Sequence, residues 1–200
     1  MILLIQVISD IHGSASDLEQ ALGAFQAKKP DLYLLCGDFL NHGPRNPLPA
    51  GYDTKAVAAI LNGLKERIVC VRGNCDSEVD QMMLDFPCLA PYTSIFVGEG
   101  RTAGGGEGCR RIFAHHGHLY DRAQLASWLP AGTLVVSGHT HVTVLERDAE
   151  TGLVFLNPGS ISIPKCGDGK TCALIETEGA GVRRVTLCGI DGRELRSLLL

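Results

Sequence analysis

Short apolar runs alternate with amphipathic segments along the first part of the chain. Residues 2–8 form an almost unbroken apolar run, which is typical of a strand covered on both faces. Residues 16–25 then carry apolar side chains at helical spacing, and Ser16 and Glu19 have the spacing of a capping box. Residues 32–36 predict a second buried strand. The chain therefore begins with a β-α-β unit.

The same alternation continues and later gives way to hairpins. Asp53 is the predicted cap of a second helix that ends near residue 64. Residues 98–108 are rich in glycine and predict a flexible hairpin loop without a functional role. Further helices are predicted at 77–84 and 122–129, and further strands at 68–71, 93–97, 110–114, 134–136, 142–147, 153–157, 171–176, 182–187 and 194–199. This order predicts two mixed β-sheets packed face to face with helices outside, a four-layer α/β/β/α sandwich.

Length and charge narrow the class of protein. A chain of 200 residues with 45% hydrophobic and 20% charged residues is expected to form one domain over residues 1–200. A formal net charge of −4 and the lack of a basic run argue against a general nucleic-acid binder. The apolar start is short and lacks a basic leader, and no apolar run is long enough to span a membrane. We therefore expect a cytoplasmic protein.

The eight cysteines do not form a recognisable framework. They are scattered along the chain without a Cys-x-x-Cys pair, and Cys36, Cys70, Cys172 and Cys188 lie inside strand-like apolar runs. Cysteine behaves as a small hydrophobic residue in such positions. We expect most of them to be reduced thiols rather than parts of a disulfide framework, and a thiolate metal site is not expected.

Polar motifs follow the predicted strands where each strand ends. Asp10, Asp38 and Asn74 follow the first three strands, and sites are built at the carboxyl ends of parallel strands. All seven histidines lie in such loops, namely His12, His42, His115, His116, His118, His139 and His141. This mixed nitrogen and oxygen donor set suits Mn, Fe, Zn, Co or Ni better than Ca or Mg.

The turn Gly138–His139–Thr140–His141 is ambiguous when taken alone. Its two imidazoles approach one spot from different angles, which suits two metal ions better than one. A polar loop with imidazoles satisfied by hydrogen bonds is an equally good interpretation. The complete donor set favours metals, because it is too large for one ion. Two ions about 3.5–4 Å apart need a bridging carboxylate, and they bind a water whose pKa falls towards neutrality. Asp38 is the natural bridge, and the hydroxide is a nucleophile for phosphoester hydrolysis.

The ordered motifs resemble the calcineurin-like metallophosphoesterases, and within them the YfcE-type phosphodiesterases. The matching motifs are Asp10-x-His12, Gly37–Asp38, Gly73–Asn74, His116–Gly117–His118 and Gly138–His139–Thr140–His141, with wider likeness over 41–46, 72–81 and 157–160. The resemblance implies one metal held by Asp10, His12, Asp38 and His141, and another held by Asp38, Asn74, His116 and His139. Manganese is the expected ion, with Fe, Zn, Co or Ni as alternatives. The implied substrate is a small phosphodiester.

Other residues receive less certain roles from the resemblance. We predict catalytic roles for Asp38, Asn74 and His118, and substrate contacts for Asn74, His42 and Arg45. His42 and Arg45 could equally brace the long loop or a subunit contact. We expect Ser160 and Ser162 to form hydrogen bonds within their loop.

One position departs from the wider superfamily. Many members have a histidine after the metal-binding asparagine, whereas this chain has Cys75 there. A thiol is a weak hydrogen-bond donor, so leaving-group protonation is expected to be weak unless His118 or His42 supplies it. Cys75 itself is not predicted to be a ligand.

Two other functions compete with the phosphodiesterase. A phosphomonoesterase would use the same ligands and differ only in pocket shape and charge. The fold also serves as an interaction scaffold in the eukaryotic retromer complex, but the intact ligand set here disfavours that role. The chain could also form a homo-oligomer.

Overall fold

The computed structural model describes residues 2–98, 111–179 and 181–200. The predicted glycine-rich hairpin loop lies almost entirely outside these residues. Within them the helices are α1 (Ala15–Phe25), α2 (Thr54–Asn62), α3 (Glu78–Met83) and α4 (Arg122–Trp128). The strands are β1 (Leu4–Ile8), β2 (Leu32–Leu35), β3 (Ile68–Cys70), β4 (Tyr92–Phe96), β5 (Arg111–His115), β6 (Leu134–Val136), β7 (Val144–Arg147), β8 (Val154–Asn157), β9 (Thr171–Glu178), β10 (Gly181–Gly189) and β11 (Glu194–Leu199).

The strands form two mixed sheets. The first has the order β11-β10-β9-β1-β2-β3, and the second has the order β4-β5-β6-β8-β7. In the first sheet β1, β2 and β3 are parallel, with Ile5 opposite Leu32 and Leu34 opposite Val69. In the second sheet β5, β6 and β8 are parallel. The outer strands pair antiparallel, because short hairpins connect them.

Apolar side chains on both faces of the parallel strands create three core layers. Ile5 and Val7 of β1 pack between the sheets, whereas Ile8 packs on the side of α1 and α2. Phe113 and Val135 of the second sheet pack under α4. This arrangement confirms the four-layer α/β/β/α sandwich. Burial on both faces also explains why the central strands read as apolar runs and not as alternating patterns.

Most predicted boundaries differ from the structure by one or two residues, and two of the differences have a visible local context. Helix α1 begins at Ala15 with Ser14 as its N-cap residue, two residues before the predicted cap Ser16 and directly after the left-handed Gly13 (φ +76°). The Ser14 hydroxyl donates to Asp17 at 2.7 Å. Strand β7 begins at Val144, because Val142 belongs to the preceding turn, where its N–H donates to the Thr140 hydroxyl at 3.3 Å.

Two chemical expectations can be compared with the described part of the chain. The seven cysteines that it contains, all except Cys109, are free thiols, as predicted. Among the same residues, no helix combines the length and the apolar character needed to cross a bilayer.

Candidate metal centre

The loops that follow β1, β2, β3, β5 and β6 meet at one edge of the sandwich. Several of their residues have an unusual backbone. The described non-glycine residues with positive φ are Lys29 and five predicted ligands, namely Asp10 (54°), His12 (49°), Asp38 (57°), His139 (69°) and His141 (59°). Left-handed backbone costs free energy for residues with a Cβ. Its concentration in these loops indicates that tertiary contacts hold their side chains in place.

One cluster joins side chains from the β1, β2 and β6 loops. His141 Nε2 lies 3.2 Å from Asp10 Oδ1 and 3.2 Å from His12 Nε2. His12 Nε2 is also 3.7 Å from Asp10 Oδ1 and 3.7 Å from Asp38 Oδ2. All four side chains are buried. These are the four residues predicted for one metal, and the fold brings their donor atoms together.

The hydrogen bonds of this cluster leave acceptors facing one another. His12 Nδ1 lies 2.8 Å from the Asn41 carbonyl, and His141 Nδ1 lies 2.5 Å from the Ile163 carbonyl. A neutral imidazole that donates through Nδ1 presents a lone pair at Nε2, so the two Nε2 atoms are both acceptors. Asp10 Oδ1 beside them is buried without a hydrogen-bond partner. Such a group of unpaired acceptors fits a divalent cation, and ligating histidines typically donate their other N–H to a carbonyl.

A second cluster joins the β3, β5 and β6 loops. Asn74 Oδ1 lies 2.6 Å from His139 Nδ1 and 3.0 Å from His116 Nε2. His116 Nδ1 contacts the Cys36 carbonyl at 2.6 Å, again on the side away from the cluster. The His139 backbone N–H donates to Asp10 Oδ2 at 3.1 Å, which ties this turn to the first cluster. The donor set matches the second predicted metal.

Asp38 contacts both clusters. Its Oδ2 lies 3.7 Å from His12 Nε2 and 3.5 Å from His116 Nε2, while Oδ1 accepts the Cys75 N–H at 2.8 Å. Burial works to raise the pKa of Asp38, but the contact with His116 and further favourable interactions hold it well below its usual range. Burial works to lower the pKa of His116, but the contact with Asp38 and the charge of Asp10 outweigh it and raise this pKa to about 9. The centre therefore attracts positive charge.

Asp76 supports both loops, and the sequence reasoning assigned it no role. Its buried carboxylate accepts the N–H groups of Asp38 at 2.8 Å, Phe39 at 2.8 Å and Gly73 at 2.6 Å. Burial, followed by the charge of Asp38, raises its pKa to about 7. Position 73 requires glycine, because a Cβ there would overlap the Asp38 side chain. A charged residue two positions after a predicted ligand is the only sequence signal for this role.

The loop after β8 supports the opposite side of the centre. The hydroxyls of Ser160 and Ser162 donate to the Asp10 carbonyl at 2.8 and 3.0 Å, so both are loop hydrogen-bonding residues as predicted. Asn157 donates to the Gly138 carbonyl at 2.7 Å. These contacts hold the Asp10 loop and the histidine turn at a fixed separation.

A cleft of about 770 Å³ opens onto both clusters. It is lined by Asp38, Asn74, Cys75, His139 and His141, by the loop residues Asn41, Gly43, Pro44, Arg45 and Asn46, and by Thr140 and Lys165. Arg45 is therefore in the predicted place. Lys165 was missed, because a lone exposed lysine gives no sequence signal. The two cations make the cleft suitable for an anion.

The two histidines predicted for substrate contact or catalysis, His42 and His118, do not line the cleft. His42 packs edge-on against Tyr52 with ring centroids 5.5 Å apart, so the structure does not bring its ring to the centre. The half-buried His118 lies beside the second cluster, 5.3 Å from the His116 ring and 6.0 Å from the His139 ring. Burial and the charge of His116 lower the pKa of His118, which favours a neutral imidazole. His115 is buried between Phe113 and Tyr120.

Residues 3–180 match the family model of the calcineurin-like phosphoesterase superfamily domain. The chain therefore belongs to this superfamily, and the resemblance drawn from the motifs is confirmed. It is 40% identical to Phosphodiesterase YfcE of Escherichia coli K12 over 170 residues, 85% of each sequence. The structure of the phosphoesterase YfcE from E. coli matches with a TM-score of 0.83 at 34% identity, over 98% of this chain and 99% of that chain.

A more distant match shows the fold alone. Wild-type Vps29 of Entamoeba histolytica, complexed with Zn²⁺, matches with a TM-score of 0.61 at 21% identity, over 98% of this chain and 99% of that chain. The same four-layer sandwich thus occurs in a protein of very different sequence.

Metal affinity should increase with pH up to about 9, the pKa of His116. Below this pH the imidazole holds a proton that a divalent cation must displace, and above it the competition ends. His12 and His139 have lowered pKa values, chiefly from burial, and compete with metal only in acid. Calorimetric titration of chelator-treated protein with Mn²⁺, in two buffers of different ionisation enthalpy, should show proton release at pH 7. Equal heats in the two buffers would contradict this.

Proposed function

We propose that the chain is a phosphodiesterase with a dinuclear metal centre. The observation that carries this proposal is that Asp38 lies between two separate groups of nitrogen and oxygen donors. The curated relative at 40% identity is named a phosphodiesterase, which supports the choice of diesters. We also propose that residues 1–200 form one metallophosphoesterase domain and act in the cytoplasm.

We propose Mn²⁺ as the metal at both positions, with Fe, Zn, Co or Ni as alternatives. Three imidazoles face carboxylate oxygens in the buried part of the centre, and this mixed donor set suits first-row transition metals. Asp10, His12, Asp38 and His141 would hold one ion, and Asp38, Asn74, His116 and His139 the other. Such a pair of ions would supply a water of lowered pKa and positive charge for the phosphoryl group.

The chain's own residues perform the remaining work. Arg45 and Lys165 would bind the negative substrate in the cleft, and Asn74 would orient it at the second cluster. The lowered pKa of His118 favours its neutral imidazole, which is a poor general acid. Cys75 lines the cleft at the position where many superfamily members have histidine, and a thiol is the weaker hydrogen-bond donor. Both features support weak protonation of the leaving group, and therefore a preference for acidic leaving groups.

The scaffold function has less support. A scaffold would not need five left-handed ligand residues or an orphaned buried carboxylate oxygen, and the likeness to Vps29 is one of fold. A phosphomonoesterase would share the ligands, so substrate tests must separate it from the diesterase.

Substitutions in the histidine turn should separate the two metal positions. His139→Ala removes a donor from the Asn74 cluster, and His141→Ala removes one from the Asp10 cluster, so each should lower bound metal from two ions to about one per chain. Asp38→Ala should lose both ions and nearly all turnover. Metal content after dialysis, measured by plasma emission, checks this. Full turnover of Asp38→Ala in added Mn²⁺ would refute the shared position.

A substrate series should show the preferred ester. With Mn²⁺ present, an aryl diester such as a bis-nitrophenyl phosphate should be hydrolysed faster than the matching aryl monoester. Among diesters, the rate should fall steeply from aryl to alkyl leaving groups, because little proton is supplied to the departing oxygen. Faster monoester hydrolysis would favour the phosphomonoesterase. A rate independent of leaving-group pKa would contradict weak protonation.

Lys165→Ala should weaken substrate binding without changing the chemistry. Because an exposed charge interacts similarly with the ground state and the transition state, KM should rise about 2- to 5-fold while kcat stays nearly constant. The effect should shrink as salt is added. Lys65→Ala is the control, since Lys65 pairs with Asp85 instead. An unchanged KM at low salt would exclude Lys165 from substrate binding.

A further inference from the structure

The thiol of Cys75 lies among the candidate metal donors. Its Sγ, His12 Nε2 or Nδ1 and a carboxylate oxygen of Asp38 form a group whose atoms all lie within 4.8 Å of one another. Such a spacing allows one cation to contact all three. The cysteine was not predicted to be a ligand, because its sequence position alone suggested a weak donor to the substrate. The tertiary structure instead places its sulfur near the ring of His12 and the carboxylate of Asp38.

Local contacts hold this thiol in place. The Cys75 backbone N–H donates to Asp38 Oδ1 at 2.8 Å, so the residue is fixed to one member of the group. The Asn74 side-chain amide donates to Sγ at 3.2 Å, which directs a sulfur lone pair towards Asn74. On the far side, a Cβ at Gly43 would come within 3.0 Å of Sγ. The thiol is therefore packed between Asn74 and Gly43 of the long loop.

The orphaned carboxylate oxygen of the first cluster indicates a cation beside His12. The buried Asp10 Oδ1 has no hydrogen-bond partner and lies 3.7 Å from the same His12 Nε2. His12 thus belongs both to the group with an orphaned carboxylate oxygen and to the group with the thiol. A cation bound by His12 and Asp38 would satisfy the first group and have Sγ within reach.

The chemistry of sulfur distinguishes between metals. Thiolates favour soft or borderline cations such as Zn²⁺ and Cd²⁺, whereas Mn²⁺ favours oxygen donors. A nearby soft cation deprotonates a coordinating thiol outright.

We propose that Cys75 is an additional thiolate ligand for soft divalent cations at the His12–Asp38 position, where it strengthens the binding of Cd²⁺ and Zn²⁺ and leaves that of Mn²⁺ nearly unchanged. The sulfur–metal bond forms as the S–H proton leaves to solvent, and no oxidant is needed. The inference rests on the proposed metal centre. It adds a sulfur donor to a site otherwise built from nitrogen and oxygen.

Cobalt and cadmium provide a direct test. Chelator-treated wild-type protein loaded with Co²⁺ should show a thiolate-to-cobalt charge-transfer band in the near ultraviolet, and Cys75→Ser should lose it. Competition titration should give roughly 10-fold weaker Cd²⁺ binding by Cys75→Ser, the lower end of the loss caused by removing partners of a metal site. Mn²⁺ affinity should change little. Cys166→Ser is the matched control, because Cys166 is a partly exposed thiol whose contact is with Thr143.

The outcomes separate this inference from the proposed function. Loss of the band and of Cd²⁺ affinity in Cys75→Ser alone would support it. Two bound ions with no charge-transfer band, or equal Cd²⁺ affinity in both variants, would overturn the thiolate and leave the dinuclear centre intact. Failure of the wild-type protein to bind Co²⁺, Cd²⁺ or Mn²⁺ would overturn the centre itself. Circular dichroism shows that each variant is folded before titration.

Discussion

The carboxylate of Asp38 is the contact on which the rest of the centre depends. It follows β2 of one sheet, yet it reaches His116, which follows β5 of the other sheet, and His12 beside it. A buried carboxylate is tolerated only when charges or hydrogen bonds compensate its desolvation. Here two imidazoles and the Cys75 N–H contact it, and two groups of donors share it. The packing of the two sheets therefore controls the geometry of the candidate metal centre.

Holding these donors in place has a conformational cost. Five predicted ligands adopt left-handed backbone, and each such residue costs on the order of 1 kcal/mol. The apolar layer between the sheets offsets this cost, because side chains such as Leu34, Ile112 and Leu134 are completely buried there. Hydrogen bonds of Asp76 and of the serines after β8 hold the ligand loops in place beside that rigid core. Strain concentrated beside a rigid core is typical of functional sites.

The cleft combines this centre with a cationic rim. Arg45 comes from the long loop after β2, and Lys165 comes from the loop after β8, so neither lies near the other in sequence. Cys75 lines the same cleft. One surface thus contains the donors for cations, the cations for an anionic substrate, and a thiol that can distinguish one metal from another. Metal binding and substrate binding in the proposed reaction therefore rely on the same cluster of loops.

Much of the fold was predictable because buried parallel strands require apolar runs, and such runs are visible without any contacts. The ligand candidates were predictable for a related reason. Polar residues such as Asp10 and His116 that directly follow a buried strand must lie at the sheet edge. The start of α1 was misplaced, because the spacing of Ser16 and Glu19 resembles a capping box, whereas the folded chain places the cap at Ser14.

The order of strands and helices, the layer architecture and the candidate donors were thus encoded locally, in hydrophobic periodicity and in residue type. Pairing of those donors into two clusters was not, since it depends on contacts between residues more than 100 positions apart, such as His12 and His141. The same holds for Asp76, which looks like an ordinary surface acid until three N–H groups from two loops surround it. Cys75 and Lys165 gained their roles in the same way, because a side chain becomes a ligand or a rim charge only through what folding places beside it.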